Sequence, residues 1–356
     1  MKFPRLYIPG PIDVLPEVLA ELSKPAIAHR HTDCYELQED LTVGMRRVLF
    51  AEKCEIVLAA SSSTGLMEGA IRNCVKDRCL NVVNGAFAKR FAEITVANGK
   101  KNDVLEIPWG KAATPNQLEA ALSAEKYDTV TMVHNETSTG VLQPLYEYAP
   151  VMKKFDDVCW LVDSVSGALG HKVEVDKLGI DVLLFGVQKA VGLPPGLAIA
   201  AVSEKAMEKA KTVENRGYYF DFLTWKKYAD KKQSPATPVL PLWYGLKKIL
   251  EIIDHEGLEN RFERHRVMGE LVRTWAKKYF SLFAEERYAS NTLTTIKNTR
   301  NIDFVEVKQK LLERDYLFAT GYGKIKNEVF RIAHMGDRKL EDLKVYLEDC
   351  EEVMDL

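Results

Sequence analysis

The middle of the chain alternates short apolar runs with stretches of helical periodicity. Between about Glu55 and Val202, segments such as GLMEGAIRNCV and PVMKKF carry apolar residues at helical spacing. The apolar runs between them are EIVLAA, LNVVNG, DVLEIP, DTVTMVHN, CWLVDSV, DVLLFGV and LAIAAV. Strands that alternate with helices favour a mainly parallel sheet covered by helices on both faces. We therefore predict an α/β fold in which ligands bind where the strands end and the loops begin.

The second half of the chain has a different pattern. Residues 214–241 are aromatic, basic and rich in proline, which predicts an irregular connection. A long helical region from about Leu242 to Tyr279 follows it, and after that come the strand TLTTIKN, the helix FVEVKQKLLERD, the strand NEVFRIAHMG and the helix KLEDLKVYLEDCEEV. This order predicts a large domain at residues 1–254, which includes the N-terminal segment, and a smaller α+β domain at residues 255–356.

Composition argues against several classes of partner. The net charge of −2 gives no bulk attraction to nucleic acid or to anionic membranes, so we expect neither as a partner. No apolar run approaches the roughly 18–20 residues that span a bilayer, and we expect no secretory signal because no basic segment precedes an apolar one. The six cysteines include no CxxC pair, which indicates reduced thiols, no metal site and a cytoplasmic location.

One lysine lies in the turn between two of the apolar runs. In LLFGVQKAVGLPPGLAIAAV, Lys189 follows one predicted buried strand and precedes the next. Most lysines in turns are exposed, but these flanking runs are too apolar for an ordinary surface loop. Desolvation at the buried end of a sheet lowers the pKa of a lysine, which can then form a Schiff base with a carbonyl. The aldehyde of pyridoxal 5′-phosphate (PLP) is a candidate carbonyl.

A PLP site requires further groups, for which the sequence offers candidates. The pyridine nitrogen needs a carboxylate, and Asp163 ends the buried run CWLVD. Val165 and Phe87 are candidates to pack on the two faces of the ring. The phosphate needs N–H donors at a helix N-terminus, and residues 61–64 (SSST) precede a helix predicted to begin near Gly65. Taken singly, each has an ordinary explanation, such as serines that cap a helix.

Together these motifs match a known family. LVDSVSGALG followed by LFGVQKAVGLPPG resembles the class V aminotransferases among the fold-type I PLP enzymes. The chain as a whole is similar to the alanine–glyoxylate and serine–pyruvate aminotransferase group, which has counterparts of YIPGP, HNETSTGVLQP, QSPATP, GLENRFERHR and VFRIAHMG in this order. The resemblance implies a PLP-dependent transaminase that is a homodimer with shared active sites. It also implies a small amino acid, serine or alanine, and a 2-oxo acid, glyoxylate or pyruvate, as substrates.

The resemblance assigns roles to individual residues. Lys189 would form the Schiff base and carry a proton between two carbons, and Asp163 would pair with the pyridinium nitrogen. The other cofactor contacts would come from Ser62, Ser63, Thr64, Phe87, Thr137, Val165, Gln188 and, across a subunit interface, Thr237. Arg331 would bind the substrate α-carboxylate through a bidentate pair. The remaining substrate contacts would come from Gly10, His29 and Arg30.

Two residues depart from the family pattern. Ser63 stands in the phosphate turn where glycine is frequent, so a side chain opposes close approach of the backbone to the phosphate. Asn135 stands where glycine is frequent before Glu136, which alters the hydrogen bonding expected around the cofactor ring. Neither change removes a group that the chemistry requires.

Three alternative functions remain open at this point. His29–Arg30 is similar to a pair that binds the substrate phosphate in phosphoserine aminotransferases, which is the main alternative. A cysteine desulfurase-like enzyme is disfavoured, because Gln188 stands where histidine usually precedes the lysine and the late cysteine, Cys350, lies in a charged helix. An inactive PLP-fold binding protein is disfavoured by the intact set Lys189, Asp163 and Arg331.

Overall fold

The computed structural model describes residues 3–356, which contain thirteen α-helices and fifteen strands. The helices are α1 (Pro16–Glu21), α2 (Thr32–Leu49), α3 (Ser63–Cys74), α4 (Ala86–Ala97), α5 (Pro115–Ala124), α6 (Leu145–Met152), α7 (Val175–Leu178), α8 (Glu204–Lys211), α9 (Phe222–Ala229), α10 (Leu240–Glu256), α11 (Leu258–Tyr279), α12 (Phe304–Glu313) and α13 (Leu340–Val353). The strands are β1 (Arg5–Leu6), β2 (Glu55–Ala59), β3 (Arg78–Val83), β4 (Lys101–Glu106), β5 (Thr129–Val133), β6 (Asn135–Glu136), β7 (Val141–Leu142), β8 (Cys159–Asp163), β9 (Val182–Gly186), β10 (Ala198–Val202), β11 (Ser281–Leu282), β12 (Leu293–Lys297), β13 (Tyr316–Leu317), β14 (Ala319–Thr320) and β15 (Val329–Ala333). In this described part, no helix is both long and apolar enough to cross a membrane.

Seven strands form the large sheet, in the order β2–β10–β9–β8–β5–β3–β4. The strands from β9 to β4 pair in parallel, and β10 runs antiparallel to both of its neighbours. Every residue of β5, β8, β9 and β10 is buried, which explains their continuous apolar sequences. The predicted α/β fold with a mainly parallel sheet is confirmed. Because Val133 and Leu184 are both in register with Asp163, the carboxyl ends of three parallel strands meet at one edge.

Two apolar layers hold this sheet between helices. On one face, Trp160 and Phe185 belong to a cluster that includes Trp243 of α10. On the other face, Leu161 of β8 packs in a second cluster with Leu66 of α3. Since successive strand residues point to opposite faces, burial of both faces accounts for an apolar residue at nearly every strand position.

A second, antiparallel sheet lies in the C-terminal part, with the order β11–β12–β15–β14. Helices α11, α12 and α13 contribute to its apolar core. The N-terminal segment joins this core, because β1 pairs with β13 and the rings of Tyr7 and Tyr346 stack with centroids 3.7 Å apart. The domain boundary after residue 254 falls inside α10 and stays a prediction.

Two details differ from the sequence expectations. The prediction of an irregular connection is wrong for residues 222–229, which form α9; the Asp221 side chain caps it by accepting a hydrogen bond from the Leu223 N–H at 3.3 Å. The single long helical region is divided into α10 and α11 at Gly257, whose φ of +83° interrupts the helical backbone.

Candidate active site

A cavity of about 280 Å³ lies at the edge where β5, β8 and β9 end. It brings together ten of the residues that the sequence singled out: Gly10, Ser62, Ser63, Thr64, Phe87, Thr137, Asp163, Val165, Gln188 and Lys189. They come from the carboxyl ends of five strands, or the segments that follow those ends, and from the N-terminal segment. The site therefore lies at the strand–loop edge that the alternating pattern predicts.

Lys189 lies in the turn after β9 with 9% of its surface exposed. Its Nζ donates a hydrogen bond to the Pro9 carbonyl oxygen. A Cβ on Gly10 would come within 2.7 Å of the Lys189 Cδ, and Gly10 has a φ of +98°, so glycine is required for the chain to pass here. Burial, reinforced by the charge of Arg331, lowers the pKa of Lys189 to about 8. A fraction of the amine is therefore neutral and nucleophilic near neutral pH.

Asp163 ends β8 and is 3% exposed. Its Oδ1 accepts a hydrogen bond from the Val165 N–H at 2.8 Å, and it forms no ion pair within residues 3–356. Burial, reinforced by the charge of Glu136, raises the pKa of Asp163 to about 7. A cationic ligand group beside this carboxylate would favour its ionised form, so the position suits a protonated nitrogen.

The turn at residues 62–64 starts α3, a helix of 12 residues. No side chain caps this helix, since Ser62 at its N-cap accepts no bond from it and the Ser61 hydroxyl donates instead to the Ser62 carbonyl at 2.9 Å. The Ser63 Oγ is buried and has no hydrogen-bond partner among the described residues. A helix N-terminus with free N–H groups and an unpartnered hydroxyl favours a bound oxyanion.

The side chains placed to enclose a flat ring also line the cavity. Phe87, near the start of α4, stacks on Tyr322 with centroids 5.3 Å apart. The Thr137 hydroxyl lies 2.6 Å from the Ser166 hydroxyl. Val165 is half-buried two positions after Asp163. The two apolar groups and the hydroxyl expected from the sequence thus share one cavity.

Arg331, in the middle of β15, is 9% exposed and lies beside the cavity. Its Nε donates to the Thr320 carbonyl at 3.0 Å, and its Nη1 donates to the Thr137 carbonyl at 3.2 Å. Within residues 3–356 it pairs with no carboxylate. Burial lowers its pKa to about 10, at which the guanidinium is still charged at neutral pH. Such a cation can bind an incoming carboxylate.

Four of the predicted residues do not line this cavity: Arg331, which lies beside it, and Thr237, His29 and Arg30. Thr237 is exposed in the loop before α10. Arg30 reaches the same loop, since its Nη1 donates to the Ser234 carbonyl at 2.9 Å and its guanidinium lies 5.5 Å from the Tyr228 ring centroid. Arg30 and Thr237 thus meet at one loop, and neither lines the cavity of their own chain.

The family model described as aminotransferase class-V matches residues 26–314. The chain is a class V aminotransferase. It is 39% identical over 340 residues to an uncharacterised aminotransferase of Methanocaldococcus jannaschii, covering 93% of this chain and 87% of that protein. A serine–glyoxylate aminotransferase of Methylorubrum extorquens is 31% identical over 352 residues, 94% of this chain and 86% of that one. A crystal structure of alanine–glyoxylate aminotransferase from Nostoc sp. matches with a TM-score of 0.94 and 28% identity, covering 99% of this chain and 96% of that one.

Membership of this family implies PLP, and the cavity of the aminotransferase fits that group. The free N–H groups of α3 and the unpartnered Ser63 hydroxyl suit a phosphate. The buried Asp163 carboxylate suits a protonated ring nitrogen, and Phe87 suits a stacked ring. Ser63, which stands where glycine is frequent in the family, thus adds an unpartnered buried hydroxyl to this helix start.

The other departure from the family pattern also lines the cavity. The Asn135 Nδ2 donates to the Thr292 hydroxyl at 3.2 Å and so links the strand end to the C-terminal part. Its Oδ1 has no hydrogen-bond partner among the described residues. Asn135 thus offers a free acceptor to a ligand where glycine would offer none.

Four residues of the aminotransferase site were missed by the sequence analysis: Glu136, Ser166, Arg90 and Tyr322. The buried Glu136 carboxylate accepts the N–H groups of Phe87 at 3.0 Å and Ala88 at 2.9 Å, which fixes the start of α4. Burial raises the pKa of Glu136. The available signal for Glu136 was its position as an acidic residue three places after the buried strand β5, whereas nothing local marked Tyr322, which lies in an irregular stretch after β14.

Proposed function

We propose that this aminotransferase transfers the amino group of serine or alanine to glyoxylate or pyruvate, with PLP held in the cavity by the residues that line it. The observation that carries the proposal is the arrangement of a buried amine, Lys189, between a buried carboxylate, Asp163, and a guanidinium free to bind an anion, Arg331. When bound, PLP supplies an aldehyde that captures the amino group and a ring that accepts electrons from the Cα–H bond.

The side chains divide the work of binding and proton transfer. Arg331 holds the α-carboxylate and so orients the Cα–H bond toward Lys189. Lys189, with a pKa lowered to about 8 by burial, would take this proton at Nζ and hold it for return within the same site. Asp163 keeps the ring nitrogen protonated. Because both substrates use one site in turn, the expected kinetics are ping-pong.

The names of the relatives support a small substrate side chain. The relatives named above act, by their names, on serine or alanine with glyoxylate. The proposed donors therefore carry no more than a hydroxymethyl or methyl side chain.

We also propose a homodimer in which Thr237 reaches the cofactor phosphate of the partner subunit. Thr237 is exposed and lies outside the cavity of its own chain, which supports a role across an interface. Arg30, bonded to the loop that carries Thr237, would approach the same partner site. The alternative function, phosphoserine transamination, depends on that approach, because neither His29 nor Arg30 lines the cavity of its own chain. Sedimentation that finds a fully active monomer would contradict the dimer.

The proposal is tested by the visible absorption spectrum of the purified protein saturated with PLP. We expect a band that is bleached by L-serine or L-alanine and restored by glyoxylate. O-phospho-L-serine serves as the comparison donor, and its selective effect would favour the alternative function. If no amino acid changes the band and no 2-oxo acid product is released, the proposed transamination is wrong. The Lys189→Met variant is the matched control, because it keeps the volume of the side chain and removes the amine.

A further inference from the structure

Glu136 joins two segments that border the cavity. Its side chain is fully buried, and both carboxylate oxygens accept hydrogen bonds. The Oε2 atom accepts from the N–H groups of Phe87 at 3.0 Å and Ala88 at 2.9 Å, in the first turn of α4. The Oε1 atom accepts from the Ser138 N–H at 2.9 Å and from the Ser138 hydroxyl at 2.6 Å. One side chain thus connects the segment after β3 to the segment after β5.

The contact between the two segments is closely packed. The Ser138 hydroxyl also accepts a hydrogen bond from the Ala86 N–H at 3.0 Å, so it supports the same helix start. A Cβ at Gly85 would overlap the Glu136 carboxylate, which shows that glycine lets the two segments pack directly together. Glu136 forms no ion pair within residues 3–356. Four hydrogen bonds, three of them from backbone N–H groups, therefore offset the cost of burying this carboxylate.

The joined segments present groups that the proposed function uses. Phe87 lines the cavity from the start of α4. Thr137 lies between Glu136 and Ser138 in the chain and lines the same cavity. The Thr137 carbonyl oxygen accepts a hydrogen bond from the Arg331 Nη1 at 3.2 Å. The position of the Phe87 ring is therefore coupled through Glu136 to the backbone that holds Arg331.

We propose that Glu136 is a positioning residue, which fixes the ring of Phe87 relative to Thr137 and Arg331 and so sets where the PLP ring lies with respect to the substrate carboxylate. Glu136 does not line the cavity, so it acts through these residues and not by contact with PLP. Both the length and the two acceptor oxygens of glutamate are needed, because the carboxylate must accept from both segments at once. The inference rests on the proposed function and adds a residue to the same site.

The test measures PLP binding to Glu136→Gln and Glu136→Asp without substrate. Glutamine turns an NH2 group toward N–H donors, and aspartate keeps the charge but is one methylene too short to reach both segments. We expect the Kd of PLP to rise by about 10- to 100-fold in both variants. The visible circular dichroism per bound PLP should fall, because the ring is no longer held in one orientation.

The matched control is Asp128→Asn. Asp128 directly precedes β5, whereas Glu136 follows that strand, and the Asp128 carboxylate also accepts a backbone N–H, from Arg78 at 2.9 Å. This variant loses a comparable contact at the opposite end of the strand. It should change neither the Kd of PLP nor the circular dichroism of the bound cofactor.

A second comparison tests whether Glu136 acts through Phe87. In a Phe87→Leu background, Glu136→Gln should weaken PLP binding much less than it does in the wild type, because the ring to be positioned is absent. Ser138→Ala removes one hydroxyl from the contact and keeps the carboxylate, so its loss of PLP affinity should be in the same direction and below about 10-fold. It replaces Glu136→Gln in both comparisons if the Glu136 variants do not fold.

Three outcomes would overturn the inference. Wild-type PLP affinity in Glu136→Asp, or in Ser138→Ala where that variant is used, would mean that the contact between the segments does not position the cofactor. An undiminished loss in the Phe87→Leu background would mean that Glu136 acts by another route. An equal loss in Asp128→Asn would attribute the effect to general stability. If the wild type transaminates no amino acid, the proposed function fails, whereas the PLP measurements still decide the role of Glu136.

Discussion

Two neighbouring clusters of buried ionisable groups are built in opposite ways. The candidate active site holds four that form no ion pair within residues 3–356: Lys189, Asp163, Arg331 and Glu136. Beside it, the fully buried Arg261 donates to Asp337 at 2.6 Å and to Glu256 at 3.2 Å. In the second cluster, ion pairs and hydrogen bonds offset the cost of removing the charges from water. In the first, hydrogen bonds offset this cost only in part and no ion pair contributes, so the remainder appears as displaced pKa values.

The paired cluster supports the unpaired one. The Arg261 Nη2 donates to the Ala190 carbonyl at 2.7 Å, directly after Lys189 in the chain. Arg264 strengthens the network by donating to Glu256 at 2.6 Å. The ion-paired network around Arg261 thus holds the turn that contains Lys189 in place. Stability and reactivity therefore depend on different residues.

The largest expected effect comes from Lys189→Met, which replaces the unpaired cation with an apolar side chain of similar length. Transamination should fall by at least about 10³-fold, because the variant has no amine to carry the proton. The melting temperature of the cofactor-free protein should not fall, because the cost of burying an unpaired amine is removed. Steady-state turnover and scanning calorimetry measure the two quantities. A marked drop in the melting temperature would mean that the unpaired Lys189 stabilises the fold, as the paired Arg261 is expected to do, and would contradict the proposed difference between the two clusters.

The same substitution in the paired cluster should have the opposite effect on stability. Arg261→Met leaves the carboxylates of Glu256 and Asp337 short of a partner, so the free energy of unfolding should decrease by about 3 kcal/mol. Urea unfolding measures the change. The matched control is Arg266→Met on the same helix, where a half-exposed arginine pairs with Glu263 and Glu270 and the loss should stay below about 1 kcal/mol. Equal losses in the two variants would contradict the structural role of Arg261.

A third group of buried ionisable side chains is kept uncharged. It predicts that the folded protein loses stability in acid. Four buried histidines have lowered pKa values because burial disfavours the charged ring: His134, His171, His265 and His334. For His134 and His334 the pKa is about 3, and their partners are the hydroxyls of Ser164 and Thr294, each at 2.9 Å. An unfolded imidazole has a pKa of about 6.5, so between about pH 6.5 and pH 3 the unfolded chain binds protons that the folded chain excludes.

Stability should therefore fall as the pH decreases below about 6.5, by up to about 1.4 kcal/mol per pH unit for each imidazole. Urea unfolding across this range gives the slope. His134→Gln removes one titrating ring and should make the slope shallower by that share. A slope that is unchanged in this variant would mean that other groups control the acid transition.

The sequence specified best those site residues that end a buried strand. Lys189 and Asp163 each follow an apolar run, and the ends of parallel strands meet at one edge, so proximity followed from the fold class. The helix start at residues 62–64 was marked by its serines, although the structure shows that their side chains do not cap it. These signals are local in the chain, which is why they were visible in it.

The missed features depend on contacts that no local pattern encodes. In the sequence, Arg90 is an ordinary arginine in a predicted helix, where such residues are usually exposed. It faces the cavity because it lies on the same face of α4 as Phe87. Tyr322 reaches that ring from a stretch more than two hundred positions later, as the separation of 232 between Arg90 and Tyr322 records. Helix α9 was missed because aromatic and basic residues obscured its period, although Asp221 and Thr224 form a helix-start signal, with their side chains bonded at 2.7 Å.

The docking of the N-terminal segment has a consequence for protein synthesis. Strand β1 pairs with β13, and the Tyr7 hydroxyl donates to the Asp342 carbonyl, 335 positions later in the chain. Pro9 lies in the chain between β1 and α1, and its carbonyl oxygen accepts a hydrogen bond from Lys189. While the ribosome is still translating the middle of the message, β13 and Asp342 do not yet exist for this segment to bind. In a nascent chain that already contains Lys189, the contacts around this lysine are therefore incomplete. The chain can become catalytically active only after the final helices have been synthesised.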